Sequence, residues 1–129
     1  MSGGSLTAAW AAAIGTAILL VEPDAALRES MRLLLTDAGF SVTTAASGPE
    51  ATQALVAKTG GFGLVVIEQR MSVMNGIMTL HALLRIQSNL LVLLLTDGTD
   101  PGVPADLQAN VRACLARPFT NDQLLAAVR

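Results

Sequence analysis

Leu64-Val65-Val66-Ile67-Glu68-Gln69-Arg70 decides the fold. Four consecutive apolar residues, two of them valines and one isoleucine, are followed at once by three polar ones. A strand with one wet face alternates apolar and polar residues. A strand covered on both faces reads as a continuous apolar run. Residues 64–67 are therefore a central strand of a sheet sandwiched between helices, and Glu68 stands at its carboxyl end.

The same grammar recurs on either side. Ala17-Ile18-Leu19-Leu20-Val21 is a second such run and residues 90–95 a third, each followed by polar residues. Between the runs the period changes to that of a helix. Leu27, Met31, Leu34 and Ala38 lie on one helical face, with Asp24 as N-cap and Gly39 as left-handed terminator. Residues 41–45 form a more polar strand. Ser47 and Glu50 read as a capping box, with Pro49 in the first turn of a helix to about Lys58. Gly60, Gly61 and Gly63 mark a turn. A helix follows over residues 76–87. Pro101 and Pro104 hold the next helix to about residues 105–109, and Asn110 is expected to end it in the left-handed region. Residues 113–116 form a short fifth strand. Thr120 and Gln123 cap a last helix to Val128.

Strict alternation of five strands with five helices implies a parallel sheet covered on both faces. The polar residues 41–45 suit one edge and the short residues 113–116 the other. The expected architecture is an α/β, flavodoxin-like (βα)5 three-layer sandwich of strand order 2-1-3-4-5. Residues 17–129 make that domain. Residues 1–16 precede it as an apolar N-terminal arm, whose first five residues resemble a cloning remnant and whose Trp10 is either a docking anchor, for the same chain or for a second copy, or a crystal-contact residue.

Composition narrows the function. Of 129 residues, 52% are hydrophobic and 14% charged, which excludes intrinsic disorder. Eight basic and ten acidic residues give a net charge of −2, with Lys58 the single lysine, so no basic stripe for nucleic acid is present. Cys114 is the one cysteine, which excludes an internal disulfide and any multi-cysteine metal site. The apolar stretch in residues 8–21 is too short to span a bilayer, and no basic residue precedes it. A cytoplasmic setting fits.

In open α/β sheets ligands sit at the carboxyl ends of the strands. Strand 1 is followed by Glu22-Pro23-Asp24, strand 3 by Glu68, strand 4 by Thr96-Asp97 and strand 5 by Arg117-Pro118-Phe119. Two carboxylates, a hydroxyl and a guanidinium thus gather at one end of the sheet. Other candidates carry less. His81 is a helix-surface histidine, Cys114 is packing within strand 5, and Met71, Met74 and Met78 are packing around the loop after strand 3.

These residues carry a family resemblance. Ile18-Leu19-Leu20-Val21-Glu22, Met71-Ser72-Val73-Met74-Asn75-Gly76, Leu94-Leu95-Thr96 and Arg117-Pro118-Phe119, in this order, resemble the blocks of response-regulator receiver domains of two-component signalling. The resemblance runs from about residue 17 to residue 129. It implies a phosphoacceptor at the position of Glu68, a hydroxyl switch at Thr96, an aromatic switch at the position of Cys114, a lysine at the position of Arg117 and a cis peptide bond before Pro118. It also implies an acidic pair after strand 1 that holds Mg²⁺.

The chain departs from that pattern in its chemistry. Glu22 is acidic, but Pro23 fills the second position and supplies no ligand, while Asp24 serves better as the helix cap. Glutamate replaces the acceptor aspartate and arginine the lysine. Glu22, Glu68 and Arg117 leave one net negative charge where the family pattern leaves two, so no divalent ion is needed for balance. The reading is a degenerate receiver that is not an enzyme. It acts as a phosphorylation-independent protein-interaction module in phosphorelay signalling, with no cofactor. Its metal site is expected to be absent, Glu22 and Glu68 being the only carboxylates that could serve one. The alternative is a functioning receiver that uses Mg²⁺ and accepts a phosphoryl group on a pocket acid from a histidine kinase; a flavodoxin-like small-molecule binder is a weaker third. Expected partners are proteins: a sensor histidine kinase, a downstream effector domain that would follow Arg129, or a second copy in a homodimer. Glu68, with or without Glu22, is expected to pair with Arg117 and hold the pocket in one state without phosphate, and Glu68→Gln to lower stability or partner binding.

Overall fold

The computed structural model describes residues 17–129, so the arm and Trp10 lie outside the described residues. Five strands, β1 (Ala17–Val21), β2 (Ser41–Ala45), β3 (Leu64–Glu68), β4 (Leu91–Thr96) and β5 (Val111–Ala116), alternate with five helices. The helices are α1 (Ala25–Asp37), α2 (Gly48–Ala57), α3 (Gly76–Ile86), α4 (Ala105–Gln108) and α5 (Asn121–Val128). The sheet order is β2-β1-β3-β4-β5 and every pairing is parallel. This is the flavodoxin-like arrangement expected from the alternation.

The continuous apolar runs have the cause proposed for them. Successive side chains of a strand point to opposite faces, and here both faces are covered. Leu19, Val21, Val65, Ile67, Val92 and Leu94 pack with Leu55, Leu80 and Leu83 from α2 and α3. Ile18, Leu20, Leu64, Val66, Leu93 and Leu95 pack with Met31, Leu35 and Leu124 from α1 and α5. With aliphatic contacts on both sides, the register is pinned: a one-residue slip would move each side chain to the other layer. Leu20 pairs with Val66, and Val66 with Leu93.

Local signals place the ends. The Asp24 carboxylate accepts the Leu27 N–H at 3.0 Å, and Gly39 at φ 103° closes α1. Thr120 and Gln123 form a reciprocal capping box. The box at Ser47 is only half made. Its hydroxyl accepts the Glu50 N–H at 3.2 Å, and the Glu50 side chain does not return to it.

Two expectations need correction. β5 starts at Val111, two residues before its sequence reading, because Asn110 does not adopt a left-handed conformation. Instead the Asn110 amide donates to the Ser88 and Leu90 carbonyls at 2.8 and 3.0 Å, tying the short α4 to the start of β4. β4 extends through Thr96, so the hydroxyl belongs to the strand rather than to the loop after it.

The glycine turn before β3 is held by a residue that the sequence reading passed over. Gln87, 8% exposed, donates from Nε2 to the Phe62 carbonyl at 2.6 Å and accepts the Gly60 N–H at 3.1 Å. Gln87→Leu leaves the buried Phe62 carbonyl without a partner and is expected to lower stability by about 1–3 kcal/mol. Urea denaturation measures it, and a loss below about 0.5 kcal/mol would show that water replaces the amide.

Candidate functional site

The register brings the polar strand ends to one edge of the sheet. Glu22 follows β1, Glu68 ends β3, Thr96 ends β4 and Arg117 follows β5. The backbone continues the ladder past the strands: the Gln69 N–H donates to the Leu95 carbonyl and the Arg117 N–H to the Thr96 carbonyl, both at 2.9 Å.

Arg117 unites the site. Its Nη2 pairs with Glu22 Oε1, and its Nη1 lies 3.1 Å from Glu68 Oε1. One guanidinium therefore spans two carboxylates on adjacent strands. The Glu22 side chain is 2% exposed and that of Glu68 5%, while Arg117 keeps 32% of its side-chain surface in water. The second oxygen of Glu22 accepts the Asp24 N–H at 3.0 Å. Both oxygens of Glu22 are thus engaged, whereas buried Glu68 Oε2 has no hydrogen-bond partner. Burial pushes the Glu68 carboxyl above the usual range; Arg117 opposes that shift, and Glu22 and Asp97 add to it.

Three features of the frame were missed in the sequence. Arg28 donates from Nη1 to the Glu22 carbonyl at 2.8 Å and to the Pro23 carbonyl at 3.3 Å, bracing the turn that carries Glu22. Its position one turn into α1 was the available signal. Gln69 Oε1 accepts the Ile77 N–H at 3.0 Å and so orients the start of α3. Gly76 sits where an added Cβ would come within 2.9 Å of the Glu68 carbonyl oxygen, so the loop can close only on glycine. That loop also carries Val73, 88% exposed and at φ 69°, a conformation unusual for a β-branched residue.

The remaining candidates fall outside the cluster. Asp24 caps α1 and contributes only its N–H to Glu22. Pro23 lines a cleft above the cluster instead of facing Arg117. Cys114 is exposed, contrary to the packing expected for it. In β5 it shares the face of Arg112 and Ala116, which are exposed as well, because α4 is only four residues long. Partial burial of the thiol pushes its pKa up, against thiolate chemistry. Met71 packs against the core and Met74 is half-buried, but Met78 is 51% exposed and is not packing. His81 is on the surface, with Nδ1 3.8 Å from Asp106 Oδ2.

The cleft, of about 550 Å³, is lined by Pro23, Gln69, Ser72, Thr96 and Asp97 among others. Across it Arg70 Nη2 pairs with Asp97 Oδ2.

Comparison with known proteins now places the chain. The sequence model of the response regulator receiver domain matches residues 18–129. The chain belongs to the response regulator receiver domain family. A receiver domain of this kind is similar to the transcriptional regulatory protein CpxR homolog of Haemophilus influenzae, with 32% identity over 87% of this chain and 48% of that one. It is similar as well to the transcriptional regulatory protein GlrR of Escherichia coli, with 33% identity over 86% of this chain and 25% of that one. The receiver thus spans from a quarter to about half of the curated relatives it matches. Among solved structures it resembles the chemotaxis protein CheY4 of Vibrio cholerae, with a TM-score of 0.77, 27% identity and coverage of 87% of this chain and 94% of that one. Among the described residues, no helix of this receiver is long and apolar enough to cross a membrane.

Proposed function

We propose that this receiver domain works without phosphate, as a protein-interaction module of two-component signalling whose pocket is held in one state by its own arginine. The observation that carries the reading is the Arg117 guanidinium shared between Glu22 and Glu68. Phosphoryl transfer to a carboxylate needs a free acceptor oxygen in line with the donor and a cation to offset charge. Here the cation is part of the chain and already lies on Glu68 Oε1.

The residues present do not fit a divalent ion. Mg²⁺ takes near-octahedral oxygen ligation. Both Glu22 oxygens are engaged, Pro23 has no ligand to give, and a guanidinium fills the space between the two acids. No cofactor enters the reading. It is not an enzyme. Its partners are proteins, a sensor histidine kinase or an effector domain, in the cytoplasm, and it has no nucleic-acid surface of its own. The relatives named as transcriptional regulatory proteins support an effector as the output.

Thr96 is 5% exposed, and its hydroxyl accepts the Gly98 N–H at 3.3 Å, so it is engaged locally. With Cys114 at the aromatic position, the pair that would relay a phosphoryl signal lacks its second member.

Incubation with acetyl phosphate and Mg²⁺ is expected to add no mass to the wild-type chain. A gain of one phosphoryl mass, lost on Glu68→Ala, would establish the functioning-receiver alternative.

A further inference from the structure

The cleft above the buried cluster has a mouth whose charge is arranged in a particular way. Arg70 is the only cation among the described residues that line it; Asp97 and Asp100 line it as well. Arg70 comes from the loop after β3 and Asp97 from the loop after β4. Their side chains meet as an ion pair. The Arg70 side chain is 75% exposed and could otherwise face an incoming ligand.

Asp97 is fixed from two directions. Oδ2 takes Arg70, while Oδ1 accepts the Thr99 N–H at 3.1 Å and the Thr99 hydroxyl at 2.5 Å. The bonds from Thr99 hold its carboxyl below the usual range. Its charge is also felt inside the pocket, where it helps to push the Glu68 carboxyl up. A second negative charge entering beside Thr96 would meet the same field without a free cation to receive it.

We propose that Asp97 is the specificity-determining residue of this cleft: latched to Arg70, its carboxylate excludes phosphate and other small anions from the space above Glu68. The proposal rests on the reading of a receiver that takes up no phosphate, and it names the residue that keeps the anion out before any chemistry arises. It also implies a latent anion site. Removing the carboxylate releases the Arg70 guanidinium into the cleft, and truncation to alanine releases the Thr99 hydroxyl as well, a cation and a donor of the kind that hold phosphate.

The test is calorimetric titration of inorganic phosphate into the full chain at low salt. Asp97→Ala and Asp97→Asn are both expected to bind at least tenfold tighter than wild type. Asp97→Asn preserves volume and can keep an acceptor for Thr99, so it covers the case in which the alanine variant misfolds. Arg70→Ala combined with Asp97→Ala is expected to return to within about threefold of wild type, and the gain is expected to shrink in 0.5 M salt (about one half of a molar), where surface charges are screened. Phosphate binding that stays within twofold of wild type in both single variants overturns the proposal, as does a double variant that keeps the full gain. Covalent phosphorylation of the wild type would sink the earlier reading instead, and its mass shift distinguishes that failure from this one.

Discussion

Arg117→Met is expected to lower the stability of the domain by about 3–5 kcal/mol near neutral pH, the usual cost of removing one partner of a buried ion pair. The reason is asymmetry. Arg117 keeps a third of its side chain in water, but the Glu22 and Glu68 side chains keep 2% and 5% of theirs. Removing the guanidinium leaves two nearly buried carboxylates facing each other without a counter-charge. Both would then tend to take up protons, so the loss is expected to shrink markedly between pH 7.5 and about pH 4.5, close to the ordinary glutamate range. Arg117→Lys tests the geometry separately. An ammonium keeps the charge but lacks the two arms that reach Oε1 of each acid. Roughly half of the loss is expected to return. Denaturant unfolding at the two pH values measures all of this. A loss below about 1 kcal/mol for Arg117→Met at both would mean that the acids are solvated and that the arginine does not hold the pocket.

How far the sequence led depends on where each feature was encoded. The three continuous apolar runs were decisive because a sheet covered on both faces reads that way, and the order β2-β1-β3-β4-β5 was expected from the polar edge at residues 41–45 and from a fifth strand read as short, although β5 has six residues. The nearness of Glu22 and Glu68 was legible because parallel strands bring their ends together and β1 lies beside β3, whereas Arg117 follows β5 and its long side chain reaches both acids past the end of β4. How Arg117 divides itself between the acids was not legible, since it depends on rotamers set by Asp24 and by the β1–α1 turn. The Arg70–Asp97 pair was out of reach because it joins two loops whose paths no periodicity describes. Cys114 was misread although the signal was present. Arg112 lies two residues before it, and side chains two apart in a strand share a face. An exposed arginine at that place puts the cysteine in the open too.

Glu68→Gln sets the attraction of Arg117 against the cost of burying a charge. From the pairing alone, the amide should weaken the domain, because it gives up a charge that Arg117 attracts. Burial of the carboxyl argues for the opposite sign. Burial is the largest influence on the Glu68 carboxyl and raises its pKa, outweighing Arg117. A carboxyl that holds its proton more firmly when folded than when unfolded makes the folded state bind more protons between the two pKa values. Stability therefore falls as the pH rises from the unfolded value toward the folded one, and stays low above it. Glutamine keeps the shape of the protonated acid beside Arg117 Nη1, but it cannot ionise. Glu68→Gln is therefore expected to be more stable than wild type at pH 8, by about 1 kcal/mol on the usual scale of single buried polar changes. That advantage should disappear below the ordinary glutamate pKa, where the wild-type carboxyl is also protonated. Glu22 behaves differently in the same experiment. With Arg117 on one oxygen and the Asp24 N–H on the other, its charge is fully used, and Glu22→Gln is expected to destabilise at pH 8. Urea unfolding across pH 4 to 8 (roughly the span between a free glutamate and neutrality) separates the two acids. If Glu68→Gln lost stability at pH 8 as Glu22→Gln does, the attraction of Arg117 would outweigh burial, and both carboxylates would be equal partners of the arginine. If it gains, Glu22 is the anchor that holds Arg117 over the pocket, and Glu68 is a buried acid kept beside it at a cost in stability.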